Sequence, residues 1–219
     1  MIPTLLWRCP LCHTNDALTH ITRRLRPDLV RCLGCKAEWR VRRAPGDDYY
    51  LKVVSGPAEV GLERPLREWY ASMKRTVRLN PIADSTVTTR PGEALYLISG
   101  PADLIAETTD PLFFGDEASS GAPRSDKSEV EGAMVGRGQL MLTSQRLVWR
   151  LGGSVVSFPL HRLHSFYAML DYGVAFMIGM RLYIVSFVKE SALKWINYVA
   201  LLAQQVEADC GHRIATSHF

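Results

Sequence analysis

Cys9-Pro10-Leu11-Cys12 and Cys32-Leu33-Gly34-Cys35 form the stretch of sequence that decides how the first part of this chain folds. Within each pair, a gap of two residues lets a tight turn aim both sulfurs at one ion. Nineteen residues separate the pairs, a spacing typical of a structural zinc site. Four thiolates complete a tetrahedral shell and leave no position for a catalytic water. We therefore predict one structural Zn²⁺ ion held by Cys9, Cys12, Cys32 and Cys35.

Two other interpretations fit the same cysteines: four unrelated buried thiols, or two disulfides. The fifth cysteine, Cys210, lies far away in a predicted helical tail, and we interpret it as a plain core or surface thiol. His13 and His20 are predicted to be surface or turn residues, because four thiolates already complete the shell.

Size and composition are those of a soluble globular chain, with 219 residues, 47% hydrophobic and 22% charged. That length holds one large domain, or one ordinary domain and a small one. There is no run of eighteen apolar residues, so we expect no transmembrane helix. Met1 to Trp7 is too short for a signal peptide and lacks a basic start. Zinc thiolates without a secretory signal predict a cytoplasmic protein.

The net charge of +4 hides an asymmetry along the chain. Residues 1–78 contain fifteen Lys or Arg against eight Asp or Glu, a net charge of +7. Residues 79–219 contain eleven against fourteen, a net charge of −3. The positive half is the one that contains the cysteine pairs.

Residues 1–56 alternate apolar and polar side chains in three short segments, Ala17–Thr22, Ala37–Arg42 and Tyr49–Val54. We predict a small three-stranded sheet. Three short strands bury too little apolar surface to fold alone, so the metal must supply much of the folding free energy. This pattern resembles a zinc ribbon.

Zinc ribbons serve in nucleic-acid binding, in protein contacts and as inert struts. Trp39, Tyr49 and Tyr50 could stack on bases. Arginines that could follow a phosphate backbone are Arg23, Arg24, Arg26, Arg31, Arg40, Arg42 and Arg43. The other interpretation is that these arginines are the solvated face of a small sheet, and nucleic-acid binding is therefore kept as an alternative function.

Residues 57–92 are predicted to form an amphipathic helix and a linker, with the helix spanning Leu62 to Arg78. Its polar face carries several basic residues, of which Arg64, Arg67 and Arg75 are candidate contacts for an anionic ligand. A basic amphipathic helix can lie on an anionic membrane. The alternative is that its apolar stripe packs onto a neighbouring domain.

Residues 93–212 contain seven predicted short strands followed by a helix from about Ser191 to Ala208, an order that predicts an antiparallel barrel closed by a helix. Residues 110–132 are rich in Gly, Ser and acidic residues, and we expect a mobile acidic loop there. The whole chain is thus expected to be mainly β with α, an α+β fold.

The segment from Gly138 to Arg150, Gly-Gln-Leu-Met-Leu-Thr-Ser-Gln-Arg-Leu-Val-Trp-Arg, resembles the strand-turn-strand signature of GRAM and GLUE domains. Phe158 to Leu163 is similar to the strand that follows it in those families. Trp195 stands in the closing helix where pleckstrin-homology domains usually carry a tryptophan. The resemblance covers about half of the chain and implies a pleckstrin-homology-like (PH-like) barrel. GLUE domains also combine with zinc modules, but there the module is inserted in the fold, whereas here it precedes it.

The sequence lacks the common catalytic motifs. Neither a Gly-rich phosphate loop nor a nucleophile elbow nor a His-Glu-x-x-His helix is present, so we expect a non-enzymatic protein. His161 and His164 are interpreted as surface or core residues.

Protein binding and membrane recruitment remain as the two main candidate functions. Lipid-binding domains of this resemblance place Lys and Arg on the first two strands, yet residues 93–107 contain neither. Arg146, Arg150 and Arg162 are the remaining candidates for an anionic ligand on the barrel. We therefore expect an adaptor for a protein partner, with recruitment to phosphoinositide-containing membrane as the alternative and peripheral membrane contact as its consequence.

Overall fold

The computed structural model describes residues 2–45, 48–57, 59–84, 87–108, 136–170 and 172–218. The chain separates into two units, Met1–Arg78 and Leu79–Phe219. Both consist mainly of β-strands with a few helices, which confirms the predicted α+β fold class. None of the described helices is long and apolar enough to cross a membrane. The expected acidic loop at 110–132 lies outside the described residues.

The first unit is built around a single antiparallel sheet in which the strands stand in sequence order. Its elements are α1 (Ile2–Leu5), β1 (Leu18–Ile21), β2 (Leu29–Cys32), β3 (Glu38–Arg43), β4 (Tyr49–Ser55), β5 (Glu63–Pro65) and α2 (Leu66–Lys74). The sheet has five strands where the sequence predicted three. The additional strands, β2 and β5, have four and three residues and are too short to show alternation.

Helix α2 is shorter than the predicted helix over 62–78, because Glu63–Pro65 forms strand β5 and the helix begins directly after Pro65. Its buried residues are Leu66, Trp69 and Met73. The helix packs against β4 and β5 of its own unit. The apolar stripe therefore contributes to the core of the first unit, and membrane contact through the basic residues of the helix stays a proposal.

Tryptophans join the helix to the sheet. Trp69 Nε1 donates a hydrogen bond of 3.2 Å to the carbonyl of Leu51 in β4. The rings of Trp39 and Trp69 meet edge to face with centroids 6.1 Å apart, and both side chains are buried. Aromatic pairs of this kind add about 0.5–1.5 kcal/mol to the gain from burial.

Within the described residues of the second unit, nine strands form one continuous hydrogen-bonded system, accompanied by a long helix. They are β6 (Leu95–Ile98), β7 (Ala102–Thr108), β8 (Gly136–Thr143), β9 (Arg146–Leu151), β10 (Ser154–Pro159), β11 (Leu163–Met169), β12 (Gly173–Ile178), β13 (Arg181–Phe187), α3 (Ala192–Cys210) and β14 (Ala215–His218). The order is β10-β9-β8-β7-β13-β12-β11-β14, and β6 pairs with β8.

Strands β6 and β7 both pair with β8: β6 lies opposite its C-terminal half and β7 opposite its N-terminal half. Between them, the Ser99 hydroxyl accepts a 2.8 Å hydrogen bond from the Leu140 amide, and the Ser99 amide donates to the Leu140 carbonyl. The sequence predicted seven strands for this unit, whereas β6 to β13 are eight. Strand β14 is an addition.

Helix α3 closes this unit as predicted, within two residues of the expected ends. It begins at Ser191, whose hydroxyl accepts from the Lys194 amide, and ends at Gly211 in the left-handed conformation at φ 73°. Trp195 is fully buried and stacks on Phe187 with ring centroids 5.5 Å apart. The tryptophan that supported the resemblance is therefore a core residue of the closing helix.

Candidate metal centre

The four predicted cysteine ligands come together in the first unit. Their sulfur atoms all lie within 4.8 Å of one another. Cys9 Sγ is 3.8 Å from Cys35 Sγ, and Cys12 Sγ is 3.6 Å from Cys32 Sγ. A tetrahedron with metal–sulfur bonds of ~2.3 Å has edges of about 3.8 Å. The cluster thus has the dimensions of a tetrahedral thiolate site.

The disulfide alternative is not supported, because all five cysteines are free. The Sγ distances of 3.6 Å and 3.8 Å are far longer than an S–S bond of about 2.05 Å. Cys210 lies in the second unit at the end of α3, where it is exposed and donates to the Val206 carbonyl.

Backbone hydrogen bonds give the two cysteine turns the same geometry. The amide of His13 donates to the Cys9 carbonyl at 3.0 Å, and the amide of Lys36 donates to the Cys32 carbonyl at 3.1 Å. His13 and Lys36 both adopt left-handed backbone angles, with φ of 59° and 61°. Each turn therefore presents its two sulfurs in the same way, and His13 acts as a turn residue.

Burial determines how the thiols ionise. Desolvation raises the pKa of Cys9 and, to a smaller extent, that of Cys35. Burial also acts to raise the pKa of Cys12, but hydrogen bonding with the Thr14 side chain and backbone, and with Cys9 and Cys32, outweighs it and lowers that pKa to about 6. A divalent cation would offset half of the charge of the four thiolates and favour their deprotonated form, so the donor set fits a bound metal ion.

The barrel signature places Arg146 in a buried ion pair. Arg146 Nε lies 2.8 Å from Glu93 Oε1, and Arg146 Nη2 lies 2.9 Å from Glu93 Oε2. The Glu93 side chain is 0% exposed and that of Arg146 is 11% exposed. Arg146 Nη1 also donates to the Ser157 hydroxyl on β10. Arg146 thus makes three side-chain hydrogen bonds within the fold, and its contact with an anionic ligand stays a prediction.

Glu93 is a functional residue of the fold that the sequence analysis missed. Thr143 Oγ1 donates to Glu93 Oε1 at 2.6 Å, and the Arg90 amide donates to Glu93 Oε2 at 2.7 Å. Burial alone would raise the pKa of Glu93, but the hydrogen bonds from Arg146, Arg90 and Thr143 lower it to about 2. Thr143 and Arg146 thus both bind the Glu93 carboxylate. The sequence around Thr143 and Arg146 does not indicate this partner.

The other two candidate arginines of the second unit have different environments. Arg150 stands four residues along β9, about 13 Å away at ~3.3 Å per residue, and its guanidinium donates to Gln139 Oε1. Arg162 follows β10 in a short 3₁₀ turn and is exposed. Arg150 therefore lies apart from Arg146 along the strand.

The candidate arginines of the connecting segment have separate environments. Arg64 lies in β5 with its guanidinium 5.6 Å from the centroid of the Trp69 ring, a cation–π contact. Arg67 Nη1 is 4.0 Å from Asp48 Oδ2, and its side chain is 77% exposed. Arg75 is exposed at the end of α2. Arg67 and Arg75 are thus on the solvated side of the helix.

An open cleft of about 280 Å³ in the second unit lies between the β8–β9 turn, the segment after β10 and the last turn of α3. Arg90 and His161 line it together with Asp209, so its charges are mixed. Arg146 borders it, with its charge already paired to Glu93. The cleft does not bring the three candidate arginines of the barrel together.

Comparison with known proteins gives few likenesses. No protein-family model matches the chain, and no curated protein matches it. Among solved structures, the chain is similar to the "Vps36 N-terminal PH domain", with a TM-score of 0.37 and 14% sequence identity. That similarity covers 56% of this chain and 87% of that chain.

Proposed function

We propose that this chain is a non-enzymatic adaptor that binds a protein partner through its zinc ribbon and its PH-like barrel. The observation that carries the proposal is the pairing of Arg146 with Glu93, which commits the charge of this arginine to an internal carboxylate. To bind an anionic headgroup with its full charge, Arg146 would have to break its ion pair with the buried Glu93 carboxylate. Truncating one side of such a buried pair costs about 3–5 kcal/mol.

The burial of the α2 apolar stripe supports the same choice. A helix that lies on a membrane inserts its apolar face, but Leu66, Trp69 and Met73 are committed to the core of the first unit. The helix and its end offer the exposed cations Arg67, Lys74 and Arg75, and the apolar residues beside them are buried. Recruitment to anionic membrane is therefore the weaker proposal.

Zn²⁺ is the metal that the donor set supports best. Four thiolates in a tetrahedron are the ligands of structural zinc, which has no geometric preference of its own and no redox chemistry. With all four positions filled by Cys9, Cys12, Cys32 and Cys35, the ion has no open site for a substrate. A stabilising role and a reducing, cytoplasmic location are consistent with five free cysteines.

A comparison on one purified preparation tests the proposal. The chain is immobilised to capture proteins that are identified by mass spectrometry, and in parallel it is sedimented with vesicles containing phosphatidylserine and phosphoinositide. We expect reproducible capture of a protein that then binds the purified chain directly, and little sedimentation at physiological salt. Strong vesicle binding without a direct protein interaction would contradict the adaptor role.

A second candidate function is nucleic-acid binding by the exposed face of the ribbon sheet. Arg40 on β3 lies directly opposite Lys52 on β4, and both side chains are exposed. Part of this positive charge is compensated by Glu63 on β5, which lies opposite Lys52 and accepts a 2.8 Å hydrogen bond from Arg42 Nε. On the same face the Arg42 guanidinium lies 4.8 Å from the Tyr50 ring centroid. Binding of a single-stranded oligonucleotide that weakens with salt and is lost in an Arg40→Glu, Lys52→Glu variant would support this candidate.

A further inference from the structure

Strand β14 is held at the edge of the second sheet in an unusual way. It pairs in parallel with β11, with Ser165 opposite Ala215 and Ala168 opposite His218. The chain reaches this position directly after α3, through Gly211 and three further residues. All the other described strand pairs of this sheet are antiparallel. The chain therefore shows that the β11 edge accepts an extended segment that approaches beside α3.

Side-chain burial contributes little to holding β14. Ala215, Thr216 and Ser217 are all exposed. The anchor is Ile214, which precedes the strand and is 5% exposed. One further polar contact joins His212 Nε2 to the Leu163 carbonyl at 2.7 Å. Residues 215–217 are thus held mainly by backbone pairing, and Ile214 is the side-chain anchor of the segment.

The strand that receives β14 is rigid by comparison. Leu163, Phe166 and Ala168 of β11 are fully buried. On its other side β11 pairs with β12 along its whole length, with one irregularity near its start. Helix α3 packs against both β11 and β14. If β14 leaves, the β11 edge keeps its shape and presents unpaired amide and carbonyl groups, which is the condition for strand addition.

We propose that the β11 edge is the docking site for an extended segment of a protein partner, and that β14 occupies this site in the unbound chain. The proposal rests on the adaptor function and specifies its partner chemistry. The segment carries an aliphatic residue at the position of Ile214, followed by three residues whose side chains stay exposed, as those of Ala215-Thr216-Ser217 do. Because the site must first open, the apparent affinity for the partner is reduced by the fraction of chains in which β14 is bound.

A labelled peptide tests this proposal without knowledge of the natural partner. The probe is a fluorescent peptide with the sequence of residues 212–219, and the receptors are the full wild-type chain and the full-length Ile214→Asp variant. Aspartate at position 214 removes the aliphatic anchor, so β14 should detach and leave the edge open. We expect the variant to bind the peptide at least tenfold more tightly than the wild type in fluorescence anisotropy.

Two matched controls accompany the measurement. Thr216→Asp places the same charge on the exposed side of β14 and should bind the peptide as weakly as the wild type. A peptide in which aspartate replaces the isoleucine should not bind either receptor. Hydrogen exchange should show the β11 amides protected in the wild type, exposed in Ile214→Asp, and protected again with the peptide.

Several outcomes would overturn the proposal. A folded Ile214→Asp chain that exposes the β11 amides yet ignores the peptide would show that the edge does not accept a strand in trans. Continued protection of those amides in the variant would show that β14 is not exchangeable. If Ile214→Asp fails to fold, Ile214→Ala serves as the second variant with the same expectation.

The same variants also distinguish a partner segment from other occupants of the β11 edge, and they test the adaptor function separately. Gel filtration that shows a wild-type dimer lost in Ile214→Asp would assign the site to a second copy of this chain and overturn partner docking. A purified partner that binds the wild type and Ile214→Asp equally well would leave the adaptor function intact and place its surface elsewhere. A chain that binds the peptide but no protein partner would instead contradict the adaptor function.

Discussion

Arg146 holds Glu93 by two parallel hydrogen bonds, 2.8 Å and 2.9 Å long, across 53 positions of sequence. Thr143 joins them by donating to the same carboxylate and by accepting from the Arg146 amide at 3.0 Å. The turn between β8 and β9 is thereby fastened to the residue that precedes β6. This arrangement explains why the signature contains both a threonine and an arginine.

Loss of the arginine should destabilise the second unit. In Arg146→Ala the Glu93 carboxylate remains buried without its partner, and we expect a loss of about 3–5 kcal/mol in the free energy of unfolding. Arg162→Ala is the matched control, because that arginine is exposed and should cost no more than ~0.5 kcal/mol. Urea unfolding of both variants measures the difference. Equal stability of the two variants would contradict the structural role of the pair.

Lowering the pH should weaken the ion pair between Arg146 and Glu93 and thereby reduce the stability of the second unit. The pKa of Glu93 is lowered from its ordinary value of 4.5 to about 2 in the folded chain. A depressed pKa contributes stability above the unfolded value, and this contribution is lost as the pH falls from about 4.5 towards 2. We therefore expect stability to fall more steeply across this range in the wild type than in Glu93→Gln. If the melting temperatures of the wild type and Glu93→Gln change with pH in the same way, this prediction is wrong.

The elements that the sequence predicted are those with local signals. The cysteine pairs determine their own turns, and the strands β8 to β13 carry alternation or turn residues within a few positions. Glu93 could not be recognised, because its partners lie about fifty residues later and a lone glutamate has no pattern. Strand β14 was missed for a related reason: its exposed residues show no alternation, and its pairing depends on the edge of β11.

The first glycine of the signature is required by a close approach of two strands. A Cβ at Gly138 would lie 2.3 Å from the Arg150 carbonyl oxygen and within 3 Å of the Trp149 ring. Gly138→Ala should therefore cost about 1–3 kcal/mol, the usual range for an overpacked core. Gly153→Ala in the neighbouring hairpin turn is the control, since a Cβ there meets nothing within 4 Å. Thermal denaturation of the two variants should separate them, and identical melting curves would show that the strands can move apart freely.

The metal centre should stabilise the first unit alone. We expect one equivalent of zinc in freshly purified protein, measured by elemental analysis, and a large loss of zinc in Cys32→Ser. The amides of β1 to β4 should then exchange rapidly with solvent while those of the second unit stay protected, because its core consists of other residues. Cys210→Ser, outside the cluster, should retain the metal. Less than half an equivalent of zinc in the wild type would contradict the site.

Anionic vesicles should bind the chain weakly or not at all. Near an anionic surface each exposed arginine contributes about 1 kcal/mol, but physiological salt screens charges beyond ~8 Å. The exposed cations Arg67 and Arg75 lack a free apolar face beside them, and residues 79–219 carry a net charge of −3. We therefore expect little sedimentation of the wild type with vesicles containing phosphatidylserine and phosphoinositide.

Charge-reversal variants identify the surface responsible if the vesicle prediction is wrong. Strong binding that is abolished by reversing Arg64, Arg67 and Arg75 would assign membrane recruitment to the connecting segment. Strong binding that is lost only in Arg150→Glu or Arg162→Glu would place a lipid site on the barrel. Arg146 is left out of this test, because its reversal would place a second negative charge beside the buried Glu93 carboxylate and unfold the domain that is being tested.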